Sequence, residues 1–159
     1  MNKLVTFLIV LAVAVACGPK KEKKKSFEYK RTAKEKEVEK KNVEKAAVDI
    51  ENLGIGPIKS MEFDRDIDVA LAEEGSGIFK QKCTACHMPD RKLIGPAIKG
   101  IYDRRNPAWV MNMILNPTEM LEKDKTAMAL LKEYNNVMML NQNLSQEEAR
   151  ALAEYFRTL

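Results

Sequence analysis

Two cysteines separated by two residues and followed at once by a histidine stand in "CTACHM", residues 83–88. The 159 residues hold three cysteines and one histidine, so Cys83, Cys86 and His87 account for all of them except Cys17. Three chemistries use two thiols and an imidazole in this pattern. Structural zinc wants four ligands, usually from two separated Cys/His pairs, and the chain has no second pair. A thiol–disulfide centre places Cys-x-x-Cys beside a strand–helix–strand pattern, and no convincing strand pattern is legible here. The third is covalent haem attachment through Cys-x-x-Cys-His. In it the thiols of Cys83 and Cys86 add across the two vinyl groups as thioethers, and His87 reaches the iron from the same side. The sequence favours this last chemistry.

Haem iron that only passes electrons needs a sixth ligand. With no second histidine, bis-His ligation by this chain is impossible. Thioethers are the remaining strong donors, and a Met/His pair raises the reduction potential. Of nine methionines, Met111, Met113, Met120 and Met128 fall where methionine is ordinary core filler. Met138 and Met139 lie instead in "NNVMMLNQNLS", a stretch without periodicity before the last helix. A ligand needs such an irregular segment to fold across a haem face, and both methionines qualify.

The elements that must position these groups read as helices. Asp66 or Asp68 caps a helix running to about Gln81, with Ile67, Leu71, Ile78 and Phe79 apolar and glycines at 75 and 77. Glycine inside a helix implies close approach by another element. Asn106-Pro107 reads as a helix start with proline at the first position, and Trp109, Val110, Met113 and Ile114 share one face. Asn116-Pro117 stops that helix and starts another, which runs irregularly to about Tyr134. Ser145 and Glu148 make a capping box for a last helix with Ala149, Leu152, Ala153 and Phe156 as its stripe. The expected fold is all-α, about four or five helices around one haem.

Three segments are expected: 1–17, 18–60 and 61–159. The first has Lys3, an apolar run from Leu4 to Ala16 and then Cys17, the layout of an export signal. The run is too short for a mature membrane span, which needs about 20 residues. It resembles a bacterial lipoprotein signal, which implies lipidation of Cys17 and accounts for the odd cysteine count. Residues 18–45 carry twelve Lys/Arg and six Glu, a net of +6, while 46–159 carry a net of −3. The basic balance therefore belongs to a tether, which cannot bury a core of its own; pairs such as Glu37–Lys41 favour partial helix. Nucleic acid is not expected as a partner of an exported chain.

From about residue 66 onward the sequence resembles a class I, single-haem cytochrome c. Gly75 and Phe79 precede Cys-x-x-Cys-His as in that family, Gly95-Pro96 follows it, and "MLNQNLS" matches the family's ligand segment with Met139 first and Leu140 where proline is usual. The resemblance implies that the Pro96 carbonyl accepts the His87 Nδ1–H, that Met139 is the axial ligand with Met138 the alternative, and that Leu152 and Tyr155 pack on the first helix. It also suggests that Tyr102, Trp109 and Arg104 or Arg105 bond the haem propionates. "RRNPAWVMNMILNP" is similar to a subgroup of bacterial lipoprotein cytochromes found near respiratory reductases, nitrous-oxide reductase included.

The expected function is that of a membrane-anchored electron carrier on the periplasmic side, not an enzyme, working between redox protein partners such as a periplasmic reductase or a terminal oxidase. The alternative is a haem-based sensor or peroxidase-like protein with a displaceable sixth ligand.

Overall fold

A computed structural model describes residues 48–159. The expected signal, Cys17 and the greater part of the charged tether, with the Glu37–Lys41 pair, lie outside the described residues. Among the described residues five α-helices follow in order: α1 Val69–Lys82, α2 Pro107–Leu115, α3 Pro117–Lys123, α4 Lys125–Glu133 and α5 Gln146–Phe156, with a 3-10 turn at Ile101–Asp103. Among the described residues there is no strand, only an isolated backbone bridge between Asp49 and Arg105. The fold is all-α.

Of the two candidate caps, Asp68 starts α1, its carboxylate accepting the Leu71 N–H at 3.0 Å. Ile67 thus precedes the helix and is 39% exposed, not part of its packed face. The terminal helix α5 packs across α1 at Gly75, where a Cβ would stand 2.0 Å from the Ala151 carbonyl oxygen. Only hydrogen fits there. Gly77 has no such neighbour within 4 Å, so the close approach belongs to Gly75 alone. Phe79 of α1 meets Tyr155 and Phe156 of α5 at ring separations of 5.5 and 5.9 Å. The capping box at the head of α5 is complete, Ser145 accepting from the Glu148 N–H and the Glu148 carboxylate from the Ser145 N–H.

Asn106 caps α2 through the Ala108 N–H at 2.9 Å, with Pro107 in the first turn. This helix is buried on nearly every side rather than on one face, because the segment ahead of α1 folds back over it. Fully buried Asn112 fastens that segment: its amide donates to Leu53 O at 2.9 Å and Ile58 O at 2.8 Å, and its oxygen accepts the Ile58 N–H at 3.0 Å. Further along, Arg157 of the C-terminal turn donates to the carbonyls of Asp64, Arg65 and Asp66. The single irregular helix expected after Pro117 is two helices. The break is at Asp124, whose extended backbone (ψ 122°) lets its side chain cap α4 through the Ala127 N–H.

Candidate functional site

The last turn of α1 delivers the cysteine cluster. The Cys83 N–H still bonds Phe79 O at 2.9 Å, and the N–H groups of Cys86 and His87 then both return to Cys83 O, at 3.1 and 2.9 Å. One tight turn therefore carries all three side chains to the wall of a single cavity of about 380 Å³, a volume typical of small-molecule sites.

His87 is held from its far side. Its Nδ1 lies 3.0 Å from the Pro96 carbonyl oxygen. That oxygen only accepts, so the ring proton sits on Nδ1 and the Nε2 lone pair is left to bind a metal. Gly95 makes the approach possible, since a Cβ there would stand 2.5 Å from His87 Cε1. The Gly95 N–H closes the loop on Cys86 O at 2.8 Å. The structure thus brings together the histidine and the proline that the resemblance paired.

Cys83 and Cys86 are free thiols, the first half-buried and the second exposed. Burial, helped by the neighbouring Cys86, pushes the Cys83 thiol up to about 11. It is protonated at neutral pH, which does not suit thiolate exchange and does suit conversion to an uncharged thioether on an apolar wall. Among the described residues no three His, Cys, Asp or Glu side chains are grouped to hold a metal ion.

The loop between α4 and α5 forms another part of the wall. Asn135, Asn136 and Asn143 take left-handed backbone, with φ of 59, 57 and 53°, a conformation asparagine tolerates better than most residues. Between these turns both Met138 and Met139 line the cavity. They differ in seating: Met139 is half-buried against the core, whereas Met138 is 53% exposed.

The remaining wall is apolar, with Phe79, Ile98, Trp109, Ile114 and Phe156 buried along it. Its permanently charged members are Lys82, Arg104 and Arg105, and no carboxylate lines it. Such a wall fits an apolar ring system bearing anionic groups. Burial is the largest influence on Arg105 and lowers its pKa, with Asp49 and Asp124 pulling the other way; its guanidinium carbon lies 5.5 Å from the Trp109 ring centre. Two of the groups suggested for propionates are otherwise engaged. The Tyr102 hydroxyl donates to Ala153 O at 2.8 Å and is not on the wall, and the Trp109 Nε1–H donates to Asp124 at 3.1 Å. Asp124 went unnoticed in the sequence although "DKTA" reads as a helix cap followed by a helical turn. Asn52, which donates to it at 2.8 Å from 72 residues away, had no local signal.

The family model of cytochrome c matches residues 72–159, more than half of the chain. A cytochrome c from Rhodothermus marinus has a similar structure, with 42% identity, a TM-score of 0.62, and coverage of 65% of this chain and 88% of that one. An engineered form of it, Rma TDE, matches with 41% identity, a TM-score of 0.62, and coverage of 65% and 89%. Cytochrome c-551 of Stutzerimonas stutzeri is 52% identical over 33 residues, which span 20% of this chain and 32% of that relative. Fold, cavity and comparisons agree: the chain belongs to the cytochrome c family, as a class I member whose cofactor is covalent haem c with its iron.

Proposed function

We propose that this chain is a one-electron carrier rather than an enzyme. The observation that carries the reading is the apolar cavity whose wall holds both His87, fixed by Pro96 at 3.0 Å, and the inward-seated Met139. Bound haem supplies an Fe(III)/Fe(II) couple. Cys83 and Cys86 would hold it by thioether bonds, and His87 through Nε2 and Met139, with Met138 as the alternative, would ligate its iron. With two ligands from the protein, the iron would have no site left open to a substrate. The Pro96 carbonyl keeps the imidazole in one tautomer and one orientation, so little rearranges when an electron arrives. Neutral sulfur and buried apolar walls favour the less charged, reduced iron. Arg104 or Arg105, both on the cavity wall, would face the propionates.

Leu93, Ile94, Val137, Met138 and Leu140 are exposed apolar side chains. Those of Ile94, Val137, Met138 and Leu140 belong to the cavity lining, where Lys82 adds positive charge. A surface of this kind suits brief docking of redox protein donors and acceptors, in which complementary charge sets the encounter rate. The partners fitting the sequence pattern are a periplasmic reductase, such as nitrous-oxide reductase, or a terminal oxidase. Residues 1–17 would direct export and lipidation at Cys17, residues 18–60 would hold the 61–159 domain off the membrane, and the site of action is the periplasmic side.

The test is a redox titration of the haem-loaded protein with carbon monoxide present and absent. A carrier gives one reversible one-electron wave that carbon monoxide does not move. A reduced form that binds carbon monoxide freely contradicts the carrier and favours the sensor or peroxidase-like alternative.

A further inference from the structure

The positive wall of the cavity is backed by a carboxylate from outside the family-matched segment. Arg105 is 5% exposed and lines the cavity. Three carboxylates influence it: Glu133 in the last turn of α4, Asp124 at the head of α4, and, ahead of both in effect, Asp49, 23 residues ahead of residue 72, where the family match begins. Asp124 has duties of its own, capping α4 at Ala127 and accepting the Trp109 indole N–H. Asp49 caps no helix, yet it is fixed from several directions. Its N–H donates to Arg104 O at 2.9 Å, and its carboxylate accepts from the Thr126 hydroxyl at 2.6 Å and from the Asn52 amide at 3.2 Å.

The Asn52 amide also reaches Asp124 at 2.8 Å. One hydrogen-bonded set therefore runs from the lead-in segment to Trp109, and Asp49 pairs along the backbone with Arg105. The Thr126 bond, the largest influence, holds the Asp49 carboxyl below its ordinary range, so it is ionised at neutral pH. Asp49 is only half-buried, and water screens its own field. The buried Arg105 guanidinium that it influences is screened far less and lines the cavity.

We propose that Asp49 is a positioning residue, a counter-ion that takes part of the charge of Arg105 and so helps set how much positive charge the cavity presents to bound haem. The lead-in segment then tunes the reduction potential. This rests on the haem-carrier reading above. A cation near the iron favours the added electron, and a carboxylate that takes part of that cation's charge opposes it.

The test measures the reduction potential of the full-length, haem-loaded protein as Asp49→Asn, Arg105→Gln and the double variant. Asp49→Asn removes the charge and keeps the shape. It is expected to shift the equilibrium toward Fe(II) by about threefold to tenfold, tenfold being ~59 mV for one electron. In the Arg105→Gln background the same change is expected to shift it less than about twofold, because the relay is gone. No shift, a shift toward Fe(III), or an equal shift in both backgrounds overturns the role of Asp49. Should Asp49→Asn fail to mature, Thr126→Val loosens the carboxylate without changing any charge. It is expected to shift the equilibrium the same way by about twofold, and a silent Thr126→Val overturns the proposal. A parent protein without a reversible one-electron couple overturns the haem-carrier reading itself, and this role with it. A normal parent with silent variants overturns only the latter.

Discussion

Glu154 keeps a carboxylate fully out of water because three donors reach it: the Asp68 N–H at 3.0 Å and the guanidinium groups of Arg150 and Arg157. Burial is the largest single influence on its ionisation and pushes its pKa up. The Arg150 bond, the Asp68 N–H and Arg157 together outweigh it, so the pKa lies below the ordinary 4.5. A lowered carboxylate pKa contributes stability in full above the ordinary value and loses it as pH falls through the folded-state value. Glu154→Gln is expected to cost about 3 kcal/mol at neutral pH, since it leaves two cations without their partner. Denaturant unfolding should show that gap closing as pH falls below the ordinary carboxylate value and through the lowered folded-state one; a gap independent of pH contradicts the assignment. At this same scale the sequence was legible where chemistry is local. Cys83, Cys86 and His87 stand within five residues and share one turn, so spacing alone brought them together. Glu154 carried no local signal, because the Asp68 N–H that reaches it lies 86 residues away.

Elements followed their punctuation. Asp68, Asn106 and the Ser145–Glu148 box start helices where the caps stand, since a cap satisfies N–H groups within its own turn. The break at Asp124 was missed because the sequence from Pro117 onward has no glycine or proline to mark it. There a buried cap bond and the indole of Trp109 hold the chain extended. The crossing of α1 and α5 was legible from Gly75 and gives a paired expectation. Gly75→Ala forces a methyl onto the Ala151 carbonyl, 2.0 Å away, and should cost about 3 kcal/mol, the upper end of overpacking. Gly77→Ala meets nothing within 4 Å and should gain up to ~1 kcal/mol from helix propensity. Thermal unfolding of the two haem-loaded variants checks this, and equal effects would contradict the close crossing.

For the molecule as a whole, the described domain and the charged sequence ahead of it are different materials. The net +6 of residues 18–45 and net −3 of residues 46–159 set the two apart in charge, as the proposed tether and carrier require. On the proposed lipid anchoring, Cys17→Ser should move the haem-loaded protein from the membrane fraction to the soluble fraction with its absorption spectrum unchanged. Retention at the membrane would contradict anchoring through that residue. What local pattern did not reveal at this scale is the docking of residues 48–68, which Asn112 and Arg157 fasten onto the helices. Their partners are backbone groups, which no side-chain pattern announces.

The most direct test of the central claim, a haem iron permanently ligated by His87 and Met139, is the oxidised and reduced absorption spectrum of the haem-loaded protein beside Met139→Ala and Met138→Ala. The expected result is a low-spin parent with the Met–Fe(III) charge-transfer band, retained in Met138→Ala and lost in Met139→Ala. A high-spin parent without that band, or loss of the band in Met138→Ala alone, would contradict it.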